Sequence, residues 1–168
     1  MQGKLKQRYQ IQKEVSRGNQ FQGQIEVKKL SRLCELLAFD DGEIALEFEF
    51  KQSDFGTPMI SGRIQTCLQV ECQRCLQAME TDLAFDFKLL VDADDDIVRE
   101  SSLDTVYSED GDIDIFEVVE DEIILALPLV SMHENDTCNA HWQASDNSQE
   151  SVVRDNPFSV LKDLKTTH

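Results

Sequence analysis

The sequence predicts an α+β fold, an antiparallel β-sheet meander packed with a few helices in a single domain. Three observations carry this. Consecutive segments alternate apolar and polar residues with period two, the strand signal for a sheet with one dry and one wet face. Two other segments place apolar residues at three- and four-residue spacing, the helix signal. The 168 residues, 40% of them hydrophobic, suffice to bury a core and contain no run of about eighteen apolar residues to span a membrane.

Residues 1–18 form a basic lead, with Lys4, Lys6, Arg8, Lys13 and Arg17 against Glu14. It has no apolar export signal, so the expected location is cytoplasmic. A domain over 19–168 follows. VKKLSRLCELLAF is predicted as one helix, with Val27, Leu30, Leu33, Cys34 and Leu37 on its buried face and Asp40-Asp41-Gly42 as its stop. Cys34 reads as core.

The three strand segments come next. In EIALEFEFK the inward set is Ile44, Leu46, Phe48 and Phe50. In MISGRIQTCLQVEC it is Ile60, Ile64, Leu68 and Val70, a parity that Cys72 shares and Cys67 does not. In DLAFDFKLLV it is Leu83, Phe85, Phe87, Leu89 and Val91. The stretch 92–112 is expected to be an exposed acidic loop. IDIFEVVEDEIILALP then reads as a helix with Asp114 as N-cap and Glu117 at capping-box spacing, ended by Pro128. Its stripe is Phe116, Val119, Ile123 and Leu127, which turns Glu120, Asp121 and Glu122 outward as an acidic face for a partner. At the C-terminal end, NPFSVLKDLK predicts a short helix with Phe158, Leu161 and Leu164 available to dock.

Charge narrows the function. The net charge is −17, and Asp92 to Glu122 holds fourteen carboxylates against Arg99 alone. Nucleic-acid affinity depends on Lys and Arg contacts to phosphate, so this balance disfavours a polyanion ligand. No G-x-S-x-G, H-E-x-x-H or Gly-rich phosphate loop is present, and no catalytic residue is assigned. The expected protein is not an enzyme.

The thiols are the clearest chemical signal. Five cysteines are an odd number for a disulfide framework, and a cytoplasmic setting keeps them reduced. Cys72 and Cys75 are spaced C-x2-C between two strands, half of a tetrahedral zinc site. Thioredoxin-type redox chemistry needs a parallel strand and a helix after the pair, and that pattern is missing. MHENDTCNAHW supplies second halves: His133 with Cys138, or Cys138 with His141. A zinc centre and a metal-free pair of thiols closing the turn both remain open.

Three blocks, VECQRCLQAM, VVEDEIILALPLVSMHENDTC and NPFSVLKDLK, resemble the YceD family of large ribosomal RNA subunit accumulation proteins. They occur in the family's order over about residues 60–165, and the basic start, FQGQI strand and helix ahead of them fit its layout. The resemblance implies a non-enzymatic role in synthesis, processing or stability of 23S ribosomal RNA. It also places His133 and Cys138 where family members carry a second cysteine pair, favouring them over His141 as ligands. Combined with the charge, it points to a basic large-subunit ribosomal protein or an assembly or processing factor as partner. The competing expectation is a direct RNA-binding module, using the basic lead with Arg74 or Lys88 and a zinc-knuckle-like C-x2-C.

Overall fold

The computed structural model describes residues 2–54, 56–92, 103–108, 110–134 and 138. The chain divides into two compact units, Met1–His133 and Glu134–His168, and the architecture that follows is that of the first. His141, Trp142 and the predicted helix with Phe158, Leu161 and Leu164 lie outside the described residues.

The strands are β1 (Gln2–Lys4), β2 (Arg8–Gln10), β3 (Gln20–Glu26), β4 (Glu43–Gln52), β5 (Pro58–Glu71), β6 (Ala78–Asp92), β7 (Asp104–Tyr107) and β8 (Asp112–Asp114). The helices are α1 (Ile11–Arg17), α2 (Ser31–Cys34) and α3 (Ile115–Ala126), with a 3-10 turn at Val27–Lys29. A six-stranded sheet has the order β1-β3-β4-β5-β6-β7, and β2 pairs with β8 in a small second sheet. The central β3 to β6 form the predicted antiparallel meander. Both edge strands pair in parallel. Among the described residues no helix is long and apolar enough to cross a membrane.

Register follows the alternation. Leu46 lies opposite Ile64 and Ile64 opposite Phe85, while Phe48, Gly62 and Phe87 share the next inward row. Gly62 is required there. A Cβ at this position would run into the Glu47 carbonyl oxygen and lie 2.8 Å from both Phe48 and Phe87. Phe48 Cβ and the Phe87 ring thus occupy the space that glycine leaves. Next to this row, Tyr9, Phe21, Phe48 and Phe50 form an aromatic cluster, with centroids 4.7 Å apart for Tyr9–Phe21 and 5.1 Å for Phe21–Phe48. Such pairs contribute beyond their buried area. Tyr9 and Ile11 are buried, so the basic lead is built into the core.

α3 starts and stops as its sequence indicates. Asp114 accepts from the backbone N–H groups of Phe116 and Glu117, and the helix ends at Ala126, ahead of Pro128. Val119 and Ile123 from the expected stripe are buried; Phe116 and Leu127 sit at its half-buried margins.

Three expectations need correction. The single helix over 27–39 is instead the 3-10 turn and four-residue α2, parted at Leu30, after which Phe39 bridges to Gln69 of β5. Second, Glu120 does not face outward. It is buried, and its Oε1 accepts from the backbone N–H of Arg32 at 2.7 Å and of Leu33 at 3.0 Å. The Arg32 guanidinium donates to Glu120 Oε2 and reaches Asp121 at 2.7 Å. One buried carboxylate thereby satisfies the orphan donors of the first turn of α2, a tertiary cap that helical periodicity cannot reveal. Asp121 is exposed as expected, and Glu122 is half-buried. Third, the acidic stretch is not loop throughout: β7 lies within it and β8 begins at its last residue, and both pair with other strands.

Candidate metal centre

β5 and β6 are joined by a six-residue turn, Cys72 to Gln77. The Cys72 N–H donates to the Gln77 carbonyl at 2.9 Å, and the Leu76 N–H donates to the Cys72 carbonyl at 2.8 Å. The second of these bonds folds the turn back on itself and holds Leu76 left-handed, at φ 60°. That conformation costs a non-glycine residue about 1–2 kcal/mol. Cys72 continues the inward parity of Leu68 and Val70 and is fully buried; Cys75 is half-buried.

The residues after α3 return along this turn as a strap. Gln73 donates its N–H to the Ser131 carbonyl at 2.8 Å and its amide Nε2 to the Leu129 carbonyl at 3.3 Å. Arg74 Nη2 lies 3.7 Å from Met132 Sδ, and Cys75 Sγ lies 3.5 Å from His133 Nδ1. The donor atoms of Cys72, Cys75 and His133 fall within 4.8 Å of one another. Neighbouring ligands of a tetrahedral zinc, at the usual Zn–S and Zn–N lengths, are about 3.5–3.8 Å apart. Two sulfurs and an imidazole at these separations fit a borderline-soft metal.

The electrostatics agree. Burial pushes the Cys72 thiol up, but the backbone amides of Cys75, His133 and Arg74 and the Cys75 side chain outweigh it and bring its pKa down to about 6. These contacts favour the thiolate, the form that ligates metal. Cys34 and Cys67 go the opposite way. Burial and the charges of Asp40 and Glu120 raise Cys34, whose sulfur lies 3.4 Å from the Val27 carbonyl. A hydrogen bond with Asp82, with burial, raises exposed Cys67.

The C-x2-C pair of the sequence-based site is thus brought together with one residue of its second half, His133. Cys138 belongs to the second unit, five positions after His133, and is half-buried. No disulfide involves any of the five cysteines. The sequence reading did not identify Gln73 as the residue that anchors the strap. The signal available for the strap was only the apolar LV after Pro128.

Comparison with known proteins gives the chain a family. The family described as "Large ribosomal RNA subunit accumulation protein YceD" matches residues 60–165. The protein of that name from Haemophilus influenzae is 31% identical over 163 residues, covering 91% of each chain. The chain belongs to the YceD family. The matched region begins inside β5 and includes the turn, α3, the strap and Cys138. No solved structure gives a significant match.

Proposed function

We propose that this YceD protein is a non-enzymatic ribosome-biogenesis factor. It supports synthesis, processing or stability of 23S ribosomal RNA through basic protein partners. Zinc held by Cys72, Cys75, His133 and Cys138 fastens its strap to its hairpin. The fourth ligand is drawn from the sequence: five residues of chain reach at most about 18 Å, so Cys138 is within range of the His133 site. A metal with four protein ligands has no open position for water or substrate, the mark of a structural rather than catalytic zinc.

The observation that carries the protein-partner reading is how the cations are used. Arg8, Arg17, Lys28, Lys29, Arg32, Lys51 and Arg63 each sit against a carboxylate. In a chain of net charge −17 this local neutralisation leaves a poor surface for phosphate and a good one for a basic protein. RNA accumulation would then be an indirect consequence of that protein contact.

Two measurements test the proposal. Mass spectrometry of the untagged chain should give one zinc per molecule, lost in Cys72→Ser, His133→Ala and Cys138→Ser but kept in His141→Ala. Pull-down after ribonuclease treatment should retain large-subunit proteins. Ribosomal RNA retained after every protein is stripped away would overturn the protein-partner reading. The RNA-binding alternative predicts loss of such RNA in Lys6→Glu/Lys13→Glu, a better probe than deleting residues 1–18, which removes buried Tyr9.

A further inference from the structure

The strap and the metal-site turn carry a group of exposed apolar side chains. Leu76 is 65% exposed and Leu129 96%, with Val130 and Met132 beside Leu129; Leu125, at 78%, stands in the last turn of α3. They form one neighbourhood because the hydrogen bonds of Gln73 to Leu129 and Ser131, and the Arg74–Met132 contact, join the turn to the strap. Ser131 is turned inward and buried between exposed Val130 and Met132. Large exposed side chains gathered in this way mark an interaction surface on a soluble domain.

The surroundings select the occupant. On the outer face of α3, Glu117, Asp121 and Leu125 are exposed at four-residue intervals, so carboxylates lead directly to the apolar group. Exposed Glu71 and Glu80 flank the metal-site turn on the stem of the β5–β6 hairpin. Arg32 offsets one charge only of the Glu120–Asp121 pair. An apolar centre rimmed by carboxylates complements a segment bearing both leucine-like and lysine-like side chains on adjacent faces.

We infer that the strap and metal-site turn form the docking surface for a basic amphipathic segment of a partner protein, with Leu76 and Leu129 as its apolar anchors. This rests on the protein-partner reading above and gives that partner a place to bind.

The test uses the zinc-loaded full chain and a fluorescent Lys/Leu amphipathic peptide of roughly 14 residues. A Lys/Ser peptide of equal charge serves as comparison. The Lys/Leu peptide should bind about tenfold more tightly than the Lys/Ser peptide, and about tenfold more tightly to the native chain than to Leu76→Ser/Leu129→Ser. Binding should weaken between about 50 and about 300 mM salt. Leu129→Lys, at an almost fully exposed position, should weaken binding similarly with zinc content unchanged. Equal affinity for the two peptides, or for the native and doubly substituted chains, would overturn the assignment. So would sedimentation showing self-association through these leucines, or competition by a 23S ribosomal RNA fragment for the same residues. Ribonuclease-treated pull-downs separate the two levels. Identical capture of large-subunit proteins by the native and variant chains removes this surface but leaves the protein-partner reading standing. If the native chain captures none, that reading falls, and the peptide titration alone decides the surface.

Discussion

The aromatic end of the sheet and the metal-site turn are built on opposite principles. Around Phe48 the chain is held by apolar burial: Tyr9, Phe21 and Phe50 pack ring against ring, and Gly62 makes room by having no side chain. Around Cys72 the contacts are directional. Backbone and side-chain hydrogen bonds fix the strap, Leu76 holds a strained conformation, and large apolar groups face water. The first region needs nothing beyond the chain. The second gathers three metal-ligating atoms with little apolar packing to hold the strap in place, and that is where a bound ion adds most. Stability and recognition are thus assigned to different ends of one hairpin.

The largest expected effect tests the first half of this contrast. Phe48→Ala should cost about 3–5 kcal/mol in chemical denaturation, through lost transfer energy and the cavity left behind. Its zinc content should stay that of the native chain. If metal is lost along with stability, the two regions are one cooperative unit and the contrast fails.

A smaller effect should follow from Glu120→Ala, which strands the backbone donors of Arg32 and Leu33 and leaves the guanidinium to Asp121 alone. A loss of about 2 kcal/mol is expected by the same measurement. A cost below about 0.5 kcal/mol would mean that water replaces the cap. Leu76→Gly should act in the opposite sense. It removes left-handed strain at an exposed position and should stabilise by about 1 kcal/mol or less, with zinc binding intact. Destabilisation would show that the Leu76 side chain packs into the turn.

The smallest effect is electrostatic. Burial, with Asp104 and Asp121 nearby, raises the Glu122 carboxyl above the usual range. For an acid whose pKa is raised by folding, the ionised form is the disfavoured one. Its cost is present above the folded pKa and disappears as pH falls to where the group is neutral in both states. Glu122→Gln should therefore stabilise at neutral pH by a few tenths of a kcal/mol, the gain vanishing in acid. A gain that persists in acid would point to packing instead.

Much of this was legible from residue order alone. Period-two alternation set the inward faces of β4, β5 and β6, and with them the burial of Cys72 and exposure of Cys67, because side-chain direction in a strand follows from parity. Asp114 and Pro128 bounded α3, since caps and imino groups act within a turn of their own position. The C-x2-C spacing named Cys72 and Cys75 as donors, and the family resemblance favoured His133 over His141. Tertiary structure alone decided what depends on residues distant in the chain. Glu120 is buried because an N–H pair on α2 lies opposite it. The basic lead is core because Tyr9 finds Phe21, and part of the acidic stretch is strand because β6 has an open edge beside it. The strap meets the turn through Gln73, a residue whose own neighbours in sequence give no hint of it. Local rules fix where a side chain points; only the assembled fold fixes what it meets.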